Sequence, residues 1–120
     1  MSKKTLVIGA SDNPSRYSYL AIQQLVNHDQ PVVALGKKAG QVAGVSILTE
    51  KPTDTDFDTI TLYLNPVNQK PYYDYILSLQ PARLLFNPGA ENPELAEMAA
   101  DKGIQPVEAC TLVLLSTGQY

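Results

Sequence analysis

Two short segments of the chain carry residue types that bind phosphate groups. Gly9–Arg16 follows an apolar run and combines a glycine with serine hydroxyls and a guanidinium, all suited to phosphate oxygens. Gly36–Gly40 follows a second apolar run and places Lys37 and Lys38 between glycines that permit close approach of the backbone. We therefore expect these segments to bind phosphate; the alternatives are an ordinary polar turn and a pair of solvated lysines.

The spacing of these residues distinguishes between kinds of nucleotide. The dinucleotide motif G-x-G-x-x-G is absent, because Ser11 and Pro14 occupy its second and third glycine positions. An NAD site needs an acidic residue near the end of the second strand, where this chain has Lys37 and Lys38 instead. Two ammonium groups favour a ribose that carries a phosphate, such as the 2′-phosphate of NADP or the 3′-phosphate of coenzyme A (CoA).

Two further segments also follow apolar runs and contain candidate binding residues. In Tyr63–Asn68, the amide of Asn65 or Asn68 could hydrogen-bond an adenine or an amide of a ligand, and Pro66 and Val67 could form an apolar wall. In Asn87–Asn92, Gly89 permits a positive φ. For the first of these segments, a simple turn that leads into a helix is the alternative.

The sequence shows no catalytic constellation. His28 is expected in a turn between the first helix and the second strand, away from the candidate loops, so it forms no credible pair with a nucleophile. Cys110 is expected at the start of the last helix, where a small half-buried side chain is the simplest interpretation. One cysteine and one histidine build neither a disulfide framework nor a conventional zinc site. We therefore predict no catalytic residue, no metal site and no enzymatic activity.

Composition limits the classes of protein to which the chain can belong. The 120 residues, of which 44% are hydrophobic, suit a single domain over residues 1–120 with a buried core. The formal charge of −3 argues against a nucleic-acid-binding protein. No apolar run approaches the roughly 20 residues that span a bilayer, and no leader segment is apparent, so we expect no membrane partner and a cytoplasmic location.

The candidate loops need elements to position them, and the chain alternates short apolar runs with amphipathic segments. Predicted strands are Thr5–Ile8, Pro31–Leu35, Val45–Leu48, Thr59–Leu64, Arg83–Phe86 and Gln105–Val107. Predicted helices are Tyr17–Asn27, one with Pro71 in its first turn, one capped by Asn92 that ends near Gly103, and Thr111–Ser116.

This alternation predicts an α/β fold with an open parallel sheet of five to six strands and helices on both faces. The expected strand order is 3-2-1-4-5, with the sixth segment outside the fifth strand. In such three-layer sheets a ligand binds beyond the carboxyl ends of the strands, where the strand order reverses. That point lies here between the first and fourth strands, and the four candidate loops all belong to this edge.

With these motifs in view, the sequence resembles the small CoA-binding domain proteins over nearly its whole length. This family is Rossmann-like and is related to the nucleotide-binding domain of the succinyl-CoA synthetase alpha subunit. The resemblance is carried by Val7–Pro14 with Arg16–Ser18, Gly36–Gly40, Asn87–Asn92, Gly103-Ile104 and Cys110.

The resemblance implies that CoA lies across the carboxyl edge of the sheet. It assigns Gly9, Ala10 and Ser11 to the pyrophosphate, with Arg16 available to an anionic group. It assigns Lys37 or Lys38 to the ribose phosphate. The full candidate cofactor-binding set is Gly9, Ala10, Ser11, Asn13, Arg16, Gly36, Lys37, Lys38, Asn65, Pro66, Asn87 and Gly89.

We therefore expect a non-catalytic protein that binds CoA or an acyl-CoA as a carrier, a sensor or a regulator. The larger relatives are CoA ligases that use a phosphorylated histidine from a second domain, and this chain has no matching histidine. One alternative is an NADP-binding oxidoreductase or redox sensor. Another is an interaction module with a vestigial nucleotide pocket, which recruits a protein partner or a second copy of itself through the tyrosine-rich segment Tyr72–Tyr75.

Overall fold

A computed structural model describes residues 2–120 as one seven-stranded sheet with helices packed on both faces. The strands run in the order β3-β4-β2-β1-β5-β6-β7, and every neighbouring pair is parallel except β3 and β4. Their bounds are β1 Thr5–Ile8, β2 Val32–Leu35, β3 Gly40–Val42, β4 Val45–Leu48, β5 Thr59–Leu62, β6 Arg83–Phe86 and β7 Gln105–Glu108.

Residues 2–120 also form five α-helices and one 3₁₀ turn, of which all but the last helix lie between strands. The helices are α1 Tyr17–Asn27, α2 Pro66–Gln69, α3 Tyr73–Leu79, α4 Pro93–Asp101 and α5 Thr111–Ser116, and the 3₁₀ turn is Lys70–Tyr72. No helix within residues 2–120 is long and apolar enough to cross a bilayer.

The predicted α/β fold class and the order of the six parallel strands are confirmed. The sequence prediction missed the seventh strand, β3, which pairs antiparallel with β4 at the edge of the sheet. The two strands are joined by a two-residue turn in which Ala43 and Gly44 both have positive φ, as a tight hairpin requires. Since β3 has three residues, of which only Val42 is buried, it gives no clear hydrophobic pattern.

Several predicted element boundaries differ from the structure: β2 begins at Val32 and not at Pro31, and β7 ends at Glu108 and not at Val107. The strand expected to reach Leu64 ends at Leu62. The helix expected to contain Pro71 in its first turn is divided, because α2 ends at Gln69 and α3 begins only at Tyr73, after the 3₁₀ turn. Pro71 lacks the backbone N–H that a continuous helix would use at that position.

Each face of the sheet buries its own core. Alternate residues of β1 point to opposite faces, so Leu6 and Ile8 join one cluster and Val7 joins the other. The first cluster contains the buried side chains of α3 and α4, and the second contains those of α1 and α5. The first cluster includes Ile60, Leu84, Ile76 and Leu95. The second includes Ala34, Ile22, Leu25 and Leu115. Full burial of each such leucine or isoleucine contributes about 1.5–3 kcal/mol.

The irregular segment between β4 and β5 is fastened to the sheet by an ion-pair cluster. The Lys4 ammonium lies 2.8 Å from the Asp54 carboxylate and 2.7 Å from that of Asp56. These hydrogen bonds raise the pKa of Lys4 and lower the pKa of both aspartates. The Tyr75 hydroxyl of α3 also donates a hydrogen bond to the Pro52 carbonyl, at 2.8 Å. The segment is therefore held at both the sheet and the helix layer.

Candidate functional site

The strand order reverses between β1 and β5, and the loop after β1 is anchored directly on β2. Ile8, at the end of β1, pairs with Leu35 of β2 on one side and with Leu62 of β5 on the other. The N–H groups of Gly9 and Ala10 both donate to the Leu35 carbonyl, each at 3.0 Å. The first two candidate loops therefore leave the sheet together.

Gly9 and Gly36 are required by close contacts between backbones at this point. A Cβ atom at residue 36 would lie 2.3 Å from the Ala10 carbonyl oxygen, well inside any allowed contact. Gly9 has φ +91°, and a Cβ there would lie 3.0 Å from the carbonyl group of Tyr63. The loops after β1, β2 and β5 can meet only because both positions are glycines.

Where these loops meet, they enclose a cleft of about 170 Å³. Apolar and aromatic side chains form its walls, and one lysine, one amide and the tyrosine hydroxyl are its polar groups. The lining residues are Gly9, Gly36, Lys37, Leu64, Asn68, Pro71 and Tyr72. A pocket with apolar walls and a few polar groups is typical of a nucleotide or cofactor site.

The structure thus places three of the predicted residues, Gly9, Gly36 and Lys37, in one cleft. Among the other four lining residues, the sequence offers Asn68 as a candidate hydrogen-bonding amide. It indicates helix packing or a subunit contact for Tyr72, and it does not single out Leu64 and Pro71 as binding residues. The position of Tyr72 depends on the 3₁₀ turn that interrupts the predicted helix, and no local pattern indicated that turn.

A wider open depression of about 550 Å³ lies elsewhere on the surface. Its lining includes Gln80 and Lys102, which follow α3 and α4 and lead into the amino ends of β6 and β7. This depression is therefore at the opposite edge of the sheet, where no predicted site residue lies.

The first loop presents the amino terminus of α1 without a side-chain cap. Arg16 occupies the capping position, but its side chain accepts no hydrogen bond from the helix. Asn13 instead shapes the loop, because its side-chain oxygen accepts from the Ser15 N–H at 3.0 Å and from the Ser15 hydroxyl at 2.8 Å. The Ser11 hydroxyl in turn accepts from the Asn13 N–H at 3.1 Å. The uncapped first turn and the exposed Arg16 can therefore receive an anion.

Lys37 and Lys38 are both exposed. In the part of the chain that the structure describes, every ion pair involves Lys4, so neither lysine is neutralised by a nearby carboxylate. Asp12 brings a carboxylate to the far end of the same loop, since a Cβ atom at Gly40 would lie 2.7 Å from its Oδ2 atom. Sequence reasoning did not single out Asp12.

In the third loop, the predicted residues Asn65 and Pro66 form the start of helix α2. The Asn65 side chain accepts from the Asn68 N–H at 2.9 Å and caps α2, and Pro66 is the first residue of that helix. The amide that lines the cleft is that of Asn68. The contacts of Asn65 and Pro66 with a ligand stay predictions.

Buried amides fasten the third loop to the fourth. The side-chain amide of Gln69 donates to the Leu64 carbonyl at 2.8 Å and to the Ala90 carbonyl at 2.7 Å. The Asn92 amide donates to the Gln69 side-chain oxygen at 2.9 Å, and the Asn92 oxygen caps α4 as the sequence predicted. The positions of the two loops are therefore coupled.

Asn87 lies under the surface, with 2% of its area exposed, and its amide is fully used by the protein. It donates to the Thr61 hydroxyl at 2.6 Å and to the Leu62 carbonyl at 2.9 Å, and it accepts from the Thr111 N–H at 2.8 Å. Asn87 thus joins β5, β6 and α5. Gly89 lies at an exposed loop tip with φ +91°, outside the cleft lining.

The Tyr63 hydroxyl is buried, and no donor or acceptor within residues 2–120 lies in hydrogen-bonding geometry with it. Burial raises the pKa of Tyr63, so this phenol stays protonated at neutral pH. Cys110, the residue before α5, is half-buried with a free thiol. Neither side chain lines the cleft.

The family model described as a CoA binding domain matches residues 3–116. The chain belongs to this CoA-binding family. Membership of a family described as a CoA binding domain agrees with the position of the cleft at the carboxyl edge of the sheet.

Solved structures include one uncharacterized protein with 48% sequence identity and a TM-score of 0.97, covering 100% of this chain and 99% of that chain. A hypothetical protein from Pyrococcus horikoshii OT3 has 19% identity and a TM-score of 0.86, covering 97% of this chain and 83% of that chain. A dinucleotide-forming acetyl-coenzyme A synthetase from Ca. Korarchaeum cryptofilum, in complex with phosphate and ADP, has 16% identity and a TM-score of 0.68. That match covers 92% of this chain and 26% of the synthetase, and it shows the fold alone. No curated protein sequence matches the chain.

The substitution Gly36→Ala tests the backbone contact that brings the first two loops together. We expect it to destabilise the protein by about 1–3 kcal/mol, because the methyl group would overlap the Ala10 carbonyl oxygen. Urea unfolding measures the loss. Gly40→Ala is the matched control, since the nearest atoms to its methyl group belong to the Asp12 side chain, which can turn away, and not to the backbone. Equal stability of Gly36→Ala and the wild type would contradict the proposed constraint.

The substitution Asn87→Ala tests whether this amide holds the fold. We expect a loss of about 1–3 kcal/mol in urea unfolding, because the buried Thr111 N–H would lose its acceptor. Asn27→Ala, at the exposed end of α1, should change stability much less. Wild-type stability combined with weaker ligand binding would instead assign Asn87 to direct ligand contact.

Proposed function

We propose that the protein binds CoA or an acyl-CoA at the carboxyl edge of its sheet and catalyses no reaction on it, acting as a carrier or sensor. The observation that carries this proposal is the cleft at the switch point, where Gly9 and Gly36 admit a ligand beside the Lys37 ammonium. Membership of the CoA-binding family supports the same ligand.

The pyrophosphate of the ligand belongs at the amino terminus of α1. The helix dipole and the uncapped first turn favour negative charge there, and Ser11 and Arg16 add polar groups beside it. Ala10 is buried, so its side chain contributes shape and its backbone provides the contact surface.

The ribose phosphate belongs beside Lys37, with Lys38 adjacent. A lysine ammonium is a compact charge that binds phosphate well, and no carboxylate competes for Lys37 within residues 2–120. The same charge would accept the 2′-phosphate of NADP, so NADP is the informative competitor in a binding experiment. NAD lacks this phosphate and should bind more weakly than either.

The absence of catalysis is supported by the chemistry of the cleft lining, whose polar side chains are a lysine, an amide and a tyrosine. His28 lies just beyond the carboxyl end of α1, where its Nδ1 atom is hydrogen-bonded to the Gln24 carbonyl oxygen at 2.7 Å. Neither it nor Cys110 contacts the cleft, so the lining lacks an activated nucleophile.

Isothermal titration of the wild type with CoA, dephospho-CoA, NADP and NAD tests the proposal. CoA should bind most tightly. The double variant Lys37→Ala/Lys38→Ala should weaken CoA by about 1–3 kcal/mol and leave dephospho-CoA nearly unchanged, because only CoA carries the 3′-phosphate.

Lys102→Ala is the control, since it removes an exposed lysine from the opposite edge of the sheet. Tightest binding of NADP would replace the proposal with the oxidoreductase alternative. Binding of none of the four ligands would leave the interaction-module alternative.

A further inference from the structure

A third lysine, Lys51, leaves the sheet beside Lys37. Leu48, the last residue of β4, is in register with Leu35 of β2, and the Gly36 N–H donates to the Leu48 carbonyl at 2.9 Å. Lys37 follows its strand by two residues and Lys51 follows the neighbouring strand by three. The pairing of β2 and β4 therefore sends both lysines to the same edge.

Lys51 stands beside Tyr72, one of the residues that line the cleft already described. Its ammonium nitrogen lies 5.7 Å from the ring centroid of Tyr72 and 5.9 Å from that of Tyr75. Tyr72 is also part of the cleft lining, together with Lys37. Tyr72 thus both lines the cleft and lies within cation–π distance of Lys51.

The backbone around Lys51 is held in place. The next residue, Pro52, is buried and accepts the Tyr75 hydroxyl bond, and Lys4 pairs with Asp54 and Asp56 a few residues later. The position of Lys51 is therefore set by the fold, and a ligand would not need to order this segment.

Lys51 forms no ion pair in the part of the chain that the structure describes, where all such pairs involve Lys4. Its own neighbour Glu50 is exposed and lies beyond ion-pair distance of it. A cation against tyrosine rings keeps its N–H donors available to an anion. Two unpaired ammonium groups at one cleft suit a phosphate better than a neutral ribose.

We propose that Lys51 is a specificity-determining residue of this cleft, which binds the ribose phosphate of the nucleotide together with Lys37 while the Tyr72 ring packs against the adenosine. This inference rests on the proposed function and adds a residue outside the glycine-flanked lysine pair. It also gives Tyr72 a role in ligand binding that helix packing alone does not.

Isothermal titration with CoA and dephospho-CoA tests this role in three variants. Lys51→Met keeps the length of the side chain and removes its charge, Lys51→Arg keeps the charge, and Lys102→Met removes a charge from the opposite edge. Lys51→Met should reduce the preference for CoA over dephospho-CoA about fivefold or more, because a charge-assisted contact to the phosphate is lost. Lys51→Arg should retain most of the preference, and Lys102→Met should leave it unchanged.

Two outcomes would overturn the inference while leaving CoA binding intact. An unchanged preference in Lys51→Met would mean that Lys51 does not contact the phosphate. Equal weakening of both ligands would mean that Lys51 acts only by supporting Tyr72. If the wild type binds neither ligand, the proposed function fails first and the inference fails with it. Because Lys51 is exposed, each variant should keep the wild-type melting temperature.

Discussion

The contact between the backbones at Ala10 and Gly36 is the constraint on which the candidate site depends. The Ala10 carbonyl oxygen occupies the space that any side chain at position 36 would need. The shared hydrogen bonds from Gly9 and Ala10 to the Leu35 carbonyl draw the same two loops together. As a result, the loop that leads into α1 and the loop that carries Lys37 leave the sheet side by side at one small cleft, which Gly9, Gly36 and Lys37 help to line.

Buried amides hold the remaining loops around that cleft. Gln69 and Asn92 couple the loops after β5 and β6, and Asn87 joins those strands to α5. A buried amide without hydrogen-bond partners destabilises the folded state by more free energy than a satisfied amide contributes to it. These networks therefore favour a single arrangement of the loops. A site whose loops are already in place spends less of its binding free energy on ordering them.

The sequence predicted the parts of the fold that follow from local patterns. Short runs of mostly apolar residues identified the central parallel strands, and Asn92 followed by Pro93 identified the start of α4. The strand β3 was missed because an edge strand of three residues buries too little to leave a pattern. Gly9 and Gly36 were identified because each glycine directly follows an apolar run, where a tight turn or a close backbone contact needs a residue without a side chain.

The site was harder to predict because its membership depends on contacts between distant segments. Asn87 belonged to the candidate binding set through the resemblance, and the structure shows its buried amide hydrogen-bonded to Thr61, Leu62 and Thr111. Tyr72 lies in the cleft lining at the end of the 3₁₀ turn that interrupts the predicted helix, and Lys51 comes near Tyr72 through the pairing of β2 with β4. Neither burial nor register can be read from one local stretch of sequence.

The most direct test of the account is an NMR titration of the ¹⁵N-labelled protein with CoA, which locates the ligand on the fold. We predict that the largest amide shifts fall in residues 11–18, 36–39 and 67–73, at the carboxyl edge of the sheet. Shifts concentrated around Gln80 and Lys102 at the opposite edge, or no shifts at saturating CoA, would contradict the account.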